Sequence, residues 1–218
     1  MRIELPSGTP AELVRPEVEA RGGLVIIPDI MGLRPLFEEH CRRIAEEKNL
    51  VVCCPEIFPG REHLTLEERL QVAGELDDRR VLGDAVAAAD ATEVEPVGLI
   101  GFCIGGMYAL KSAGTGRFER VVSFYGMVHV PDQWKSPTQG EPLEALSRPG
   151  AAPVLAIVGD RDPWLPAEHV EELRRAGCRV EVFPGREHGF VHDPQRPAHD
   201  PDDAARAWRM AFEHLGFG

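Results

Sequence analysis

Residues 96–113 read PVGLIGFCIGGMYALKSA, and the fold follows from how this stretch has to turn. PVGLI is a short apolar run of the kind that forms a strand buried on both faces, and MYALKSA has the composition of a helix. Between them stand Gly101, Cys103 and Gly105, a G-x-C-x-G arrangement. A strand that passes into a helix across so few residues holds the middle one in a strained conformation. Side chains at the two flanking glycine positions would collide with the neighbouring strand and helix. The turn aims the Cys103 sulfur at the helix N-terminus, where the peptide dipoles favour a thiolate. This is the thiol counterpart of a nucleophile elbow, and Cys103 is the candidate nucleophile. A dinucleotide-binding loop would need G-x-G-x-x-G after the first strand of its unit. Here the glycines read G-x-x-x-G-G and lie in mid-chain.

Outward from the elbow, short apolar runs alternate with helical patterns. Residues 2–5 and 12–14 predict an opening hairpin around Pro6-Ser7-Gly8. Further strands are predicted at 23–27 (GLVII), 51–54, 121–125, 154–158 and 179–183. Helices are predicted at 37–47, 105–112, 167–176 and 202–214, with one or two more within 66–89. Apolar strands separated by helices predict one α/β domain over residues 1–218, a mostly parallel sheet covered by helices on both faces as a three-layer sandwich. Right-handed crossovers bring the strand C-terminal ends to one edge, where ligands bind.

Two of those ends carry chemistry. The strand PVLAIV runs into GDRDPWLP (residues 159–166), and RVEVF runs into PGREHGF (residues 184–190). Asp160 and Asp162 both qualify as an acid. Asp162 is preferred because its D-x-x-x-P setting resembles the acid loop of α/β-hydrolases, where the aspartate precedes a short apolar stretch and a proline. Among eight histidines, His188 alone sits in a glycine-containing turn directly after the last predicted strand. The order nucleophile, acid, histidine is that of an α/β-hydrolase, in which the histidine moves the proton and the acid fixes its tautomer. In that fold the loop after an earlier strand supplies an oxyanion donor. The backbone N–H groups of Ile30 and Ile104 are the natural pair.

Composition narrows the partners. A net charge of −12 repels phosphate backbones and anionic lipid, so neither a nucleic acid nor a membrane is expected as a partner. No apolar run is long enough to span a bilayer, and MRIELPSGTP has no signal-peptide core. Five irregularly spaced cysteines make a poor disulfide framework and predict a reduced, cytoplasmic protein, monomer or homodimer. Cys53 and Cys54 point to opposite faces of one strand and read as core residues. His188, His192 and Asp193 form no metal site, because Gly189 and Pro194 make that segment a loop. No metal or cofactor is expected.

The pieces PDIMGL (28–33), GFCIGG (101–106), GDRDPWLP (159–166) and REHGF (186–190) occur in the order and spacing of the dienelactone hydrolase family, which the chain resembles over nearly its whole length. AELVRP, CCPEIF and SFYG add to the resemblance. It implies an α/β-hydrolase fold without a large lid and a Cys103-Asp162-His188 triad acting on a small ester or lactone through a thioester. Family members carry a glutamate at the place of Asp29, which interacts with the thiol and gates its activation, so Asp29 is the candidate gating carboxylate. They also hold a substrate carboxylate with two arginines. His192, neutral over much of the physiological range, stands at the place of one, and Arg69 lies near the other without aligning with it, so the anionic lactone is not carried over and a less anionic ester or lactone fits at least as well. Phe37, Tyr125, Trp134 and Phe190 flank strand ends and are candidate pocket residues. A thiol-based acyltransferase and a non-catalytic or redox-sensing relative of the same fold are the alternatives.

Overall fold

The computed structural model describes all 218 residues. The strands are β1 (Arg2–Glu4), β2 (Pro10–Val14), β3 (Gly23–Ile27), β4 (Val51–Pro55), β5 (Val97–Phe102), β6 (Arg120–Phe124), β7 (Val154–Gly159) and β8 (Arg179–Phe183). The helices are α1 (Pro35–Lys48), α2 (Leu66–Val72), α3 (Asp78–Thr92), α4 (Ile104–Ala113), α5 (Pro142–Leu146), α6 (Ala167–Arg175) and α7 (Pro201–Leu215). All eight strands join one sheet in the order β1-β2-β4-β3-β5-β6-β7-β8. The β1–β2 and β2–β4 pairs are antiparallel and the rest are parallel.

Helices α1 and α3 both lie on β4 without packing on each other, so they cover opposite faces. Helix α7 joins α1, with Arg43 over the Trp208 ring, and α4 joins α3. This is the expected sheet between two helical layers. Strands β3, β4, β5 and β7 are buried along their full length, which is why they read as unbroken apolar runs. No helix is long and apolar enough to cross a membrane.

Local signals place the helix boundaries. Thr65 and Glu68 form a reciprocal capping box that starts α2, and Asp77 accepts the Arg79 N–H to start α3. That second cap, after a 3-10 turn at Ala73–Glu75, divides the 66–89 region into two helices. Asp200 accepts the Asp203 N–H at the head of α7, and Gly216 closes it in the left-handed region. Two elements lay outside the sequence reading, a 3-10 turn at Asp132–Trp134 and the five-residue α5. Both are too short to show a period.

The register sets up the site. Ile27 pairs with Gly101, Phe102 with Phe124, and Gly159 with Phe183. The residues that follow these positions, Asp29, Cys103, Tyr125, Asp162 and His188, therefore leave the sheet along one edge.

Candidate active site

Cys103 is held at φ 58° and ψ −120°, a strained conformation for a residue with a side chain. Its N–H donates to the Phe124 carbonyl at 3.1 Å, which pins the turn to β6. A Cβ on Gly101 would lie 2.0 Å from the Gly105 carbonyl oxygen, and one on Gly105 would lie 2.3 Å from the Ile27 and Pro28 carbonyl oxygens. The backbone is closed around the turn, and the sulfur-bearing residue stays partly exposed while its neighbours are buried.

Of the five cysteines, Cys41, Cys53, Cys54 and Cys178 are buried. Burial pushes the Cys53 thiol up to about 12 and the Cys178 thiol up to about 11. These thiols are inert core residues by comparison.

His188 Nδ1–H donates to Asp162 Oδ2 at 2.8 Å. Asp162 is buried, and its other oxygen accepts the Trp164 N–H at 2.9 Å, so the carboxylate is fixed from both sides. Asp160 is exposed and accepts the Gly185 N–H at 2.6 Å, which ties the β7 and β8 loops together. Burial acts to lower the His188 imidazole. The charge of Cys103, with the hydrogen bond and charge of Asp162, outweighs it and holds the ring at about 10. The free ring nitrogen, Nε2, is buried and makes no hydrogen bond of ordinary length and angle. With Nδ1 on Asp162, the sulfur acts on the Nε2 side, in a contact looser than a formed hydrogen bond.

Two amides remain without an acceptor. Ile30 N–H makes no hydrogen bond within the chain, and Ile104 N–H is the first of α4, with no intrahelical carbonyl to reach. The loop carrying Ile30 is braced from below. Glu56 accepts the Leu33 N–H at 2.8 Å and the Phe58 N–H at 2.7 Å, and Arg69 Nη1 donates to the Ile30 carbonyl at 3.4 Å.

Several expected contacts are not made. Asp29 makes no hydrogen bond to the Cys103 sulfur. Its carboxylate accepts from both terminal nitrogens of Arg34, at 2.6 and 2.9 Å, from the Met31 N–H at 2.9 Å and from His192 Nε2–H at 2.8 Å. Burial opposes the charge of Asp29, but these donors overcome it and keep the carboxyl far below its ordinary range. Because Nε2 carries the proton, Nδ1 of His192 accepts the Tyr125 hydroxyl. The row Arg34-Asp29-His192-Tyr125 thus has each member's donors and acceptors matched. Burial keeps His192 neutral and the Tyr125 phenol protonated.

The pocket candidates are corrected in the same way. Arg69 is 1% exposed. Its guanidinium donates to the Leu64, Glu62 and Ile30 carbonyls and lies 3.9 Å from Glu56, so its charge braces the loop and does not reach a substrate. Phe37 and His192 are buried against Phe102, and Phe190 packs on Phe183 and Tyr125. Tyr125 reaches the His188 ring edge from beneath, and Trp134 donates to the Leu70 carbonyl under Trp164. These aromatic side chains build the floor and walls behind the site.

Two residues escaped the sequence reading. Arg34 clamps Asp29, five positions away in the same loop. Arg196 makes no ion pair within the chain, and its guanidinium lies against Gly189, where a Cβ would meet Nη1 at 2.5 Å. It is a cation lying against the turn that carries His188, and no ion pair within the chain uses it. The only sequence signal for it was a basic residue in the loop after the histidine.

The chain matches the model of the dienelactone hydrolase family over residues 10–217. A relative from Bradyrhizobium sp, named "Probable 2-oxo-3-(5-oxofuran-2-ylidene)propanoate lactonase", is 30% identical over 94% of this chain and 88% of its own length. A carboxymethylenebutenolidase from Rhodococcus opacus is 26% identical over 87% of this chain and 79% of its own. The crystal structure of a dienelactone hydrolase-like promiscuous phosphotriesterase from metagenomic libraries superposes with a TM-score of 0.75 at 23% identity, covering 100% of this chain and 98% of that one.

Proposed function

Since the chain belongs to the dienelactone hydrolase family, and is a hydrolase of that kind, we propose that it cleaves a small ester or lactone through a thioester on Cys103. The observation that carries this reading is the Asp162–His188 hydrogen bond of 2.8 Å beside a cysteine in a strained elbow. The Cys103 thiolate attacks the carbonyl carbon. The developing oxyanion takes hydrogen bonds from the Ile30 and Ile104 amides. The C–O bond breaks as the His188 imidazolium gives its proton to the departing oxygen. In a lactone that oxygen stays tethered to the acyl chain as a hydroxyl or enol. Water then attacks the thioester, His188 takes its proton, and the acid leaves with the thiolate restored. A thiolate is expelled readily from the tetrahedral intermediate, so activated esters and enol-lactones suit it better than amides.

Asp29 acts here by holding the oxyanion loop through Arg34, His192 and the Met31 amide, and not by contact with the thiol. Arg196, which lies against Gly189 and makes no ion pair within the chain, is the candidate to meet a carboxylate on the acyl group. An anionic lactone, as in the name of the Bradyrhizobium relative, fits that arrangement. Turnover of p-nitrophenyl acetate should fall by roughly 10³-fold or more in Cys103→Ala. Mass spectrometry of the wild type quenched during turnover should find an acetyl group on Cys103. Retained turnover in the variant, or acetylation elsewhere only, would reject the nucleophile.

A further inference from the structure

A second cluster of chemically competent side chains lies outside the triad. His129 comes from the loop after β6, and His169 and Glu172 stand one turn apart on α6. One donor atom from each lies within 4.8 Å of the other two. His129 Nε2 is 2.6 Å from Glu172 Oε2, and the two imidazole rings meet edge to face with centroids 4.8 Å apart. His169 Nδ1 is buried and has no hydrogen-bond partner. A buried ring nitrogen without a partner is costly unless something outside the chain satisfies it.

We infer that His129, His169 and Glu172 form a binding site for a zinc-like divalent transition metal. Two imidazoles and one carboxylate are a borderline donor set that suits zinc, cobalt or nickel over magnesium or calcium. With metal–ligand bonds of about 2.1 Å, tetrahedral donors stand about 3.4 Å apart, and rotation of partly exposed side chains brings this set to that spacing. Three protein ligands leave one position for water. The second ring nitrogen of His129 faces Glu141 Oε2 at 3.7 Å, and that oxygen is held by the Val130 N–H at 2.9 Å. A carboxylate in that position is near enough to accept from a metal-bound imidazole after a small shift of the ring.

The location gives the metal a structural consequence. His129 and His169 line a surface groove of about 510 Å³ together with Trp164, whose amide fixes Asp162. A bound ion ties the loop that follows Tyr125 to the helix that follows the acid loop. It also sits in a groove walled by a tryptophan, which a paramagnetic ion quenches.

The test uses untagged protein carrying Cys103→Ala, which removes the accessible thiol. Zinc titrated by calorimetry should bind at one equivalent and raise the melting temperature. Affinity should fall by at least 10-fold in His169→Ala and in Glu172→Gln, and stay unchanged in a variant of the exposed His63. Cobalt should quench tryptophan emission in the parent and not in those two variants. Glu172 is partly exposed, so Glu172→Gln keeps the test open if His169→Ala fails to fold. Absence of stoichiometric binding, or binding untouched in a folded ligand variant, would overturn the site.

Discussion

Asp29 and His192, 163 residues apart in the chain, share a 2.8 Å hydrogen bond that joins the loop after β3 to the loop after the histidine. With Arg34 on the same carboxylate, this bond holds a buried charge in place. Asp29→Asn removes the charge and leaves Arg34 and His192 facing a weaker acceptor. Stability should fall by about 2–3 kcal/mol, measured by urea unfolding. A variant as stable as the parent would show that the row is dispensable.

The proposed base carries a pH signature. His188 titrates at about 10 in the folded chain against 6.5 free. Its raised value contributes stability that is full below 6.5 and is lost as pH climbs through about 10. The imidazolium is the form that protonates the leaving oxygen, so kcat/KM should fall above about pH 10. Asp162→Asn removes a hydrogen bond and a charge that support the imidazolium. It should cut kcat by roughly 10³-fold and move that limb to lower pH. A limb that stays in place would separate Asp162 from the titration.

Acid should loosen the packing behind the site. His40 is buried and donates Nε2–H to the His192 carbonyl at 2.8 Å. Burial lowers it to about 4 from 6.5. The unfolded chain therefore takes the proton first, and stability is lost as pH falls from 6.5 towards 4, by about 3 kcal/mol. His40→Gln should flatten that part of the stability curve in thermal unfolding at stepped pH. An unchanged slope would exclude His40 as its source.

The elbow should tolerate no added atom on its helix side. Gly105→Ala would put a methyl group 2.3 Å from two carbonyl oxygens of the β3 end. The backbone cannot yield there without opening the sheet, so the cost should reach at least about 4 kcal/mol. Soluble expression and circular dichroism read this directly. An alanine variant with near-native melting would mean the helix can slide.

Arg196 should read the charge of the substrate. Arg196→Gln should raise KM roughly 10-fold for esters or lactones bearing a carboxylate, the loss of one charge-assisted hydrogen bond. Neutral p-nitrophenyl esters should keep their KM within about twofold. Equal effects on both would make Arg196 a structural residue.

The sequence by itself determined the alternation of strands and helices, the elbow and the sheet edge at which the candidate site lies. These are local matters. GLVII and VLAIVG are apolar because both faces are covered, and Gly101 and Gly105 are required by contacts within their own turn. Tertiary structure alone decided how side chains from distant loops share donors and acceptors. It gave Asp160 to a loop amide, turned Asp29 towards Arg34 and His192, buried Arg69 beneath the Ile30 carbonyl, and brought His129 beside His169. Those pairings depend on sheet register and on which hydrogen bonds remain to be satisfied once the backbone is fixed, and no local spacing encodes either.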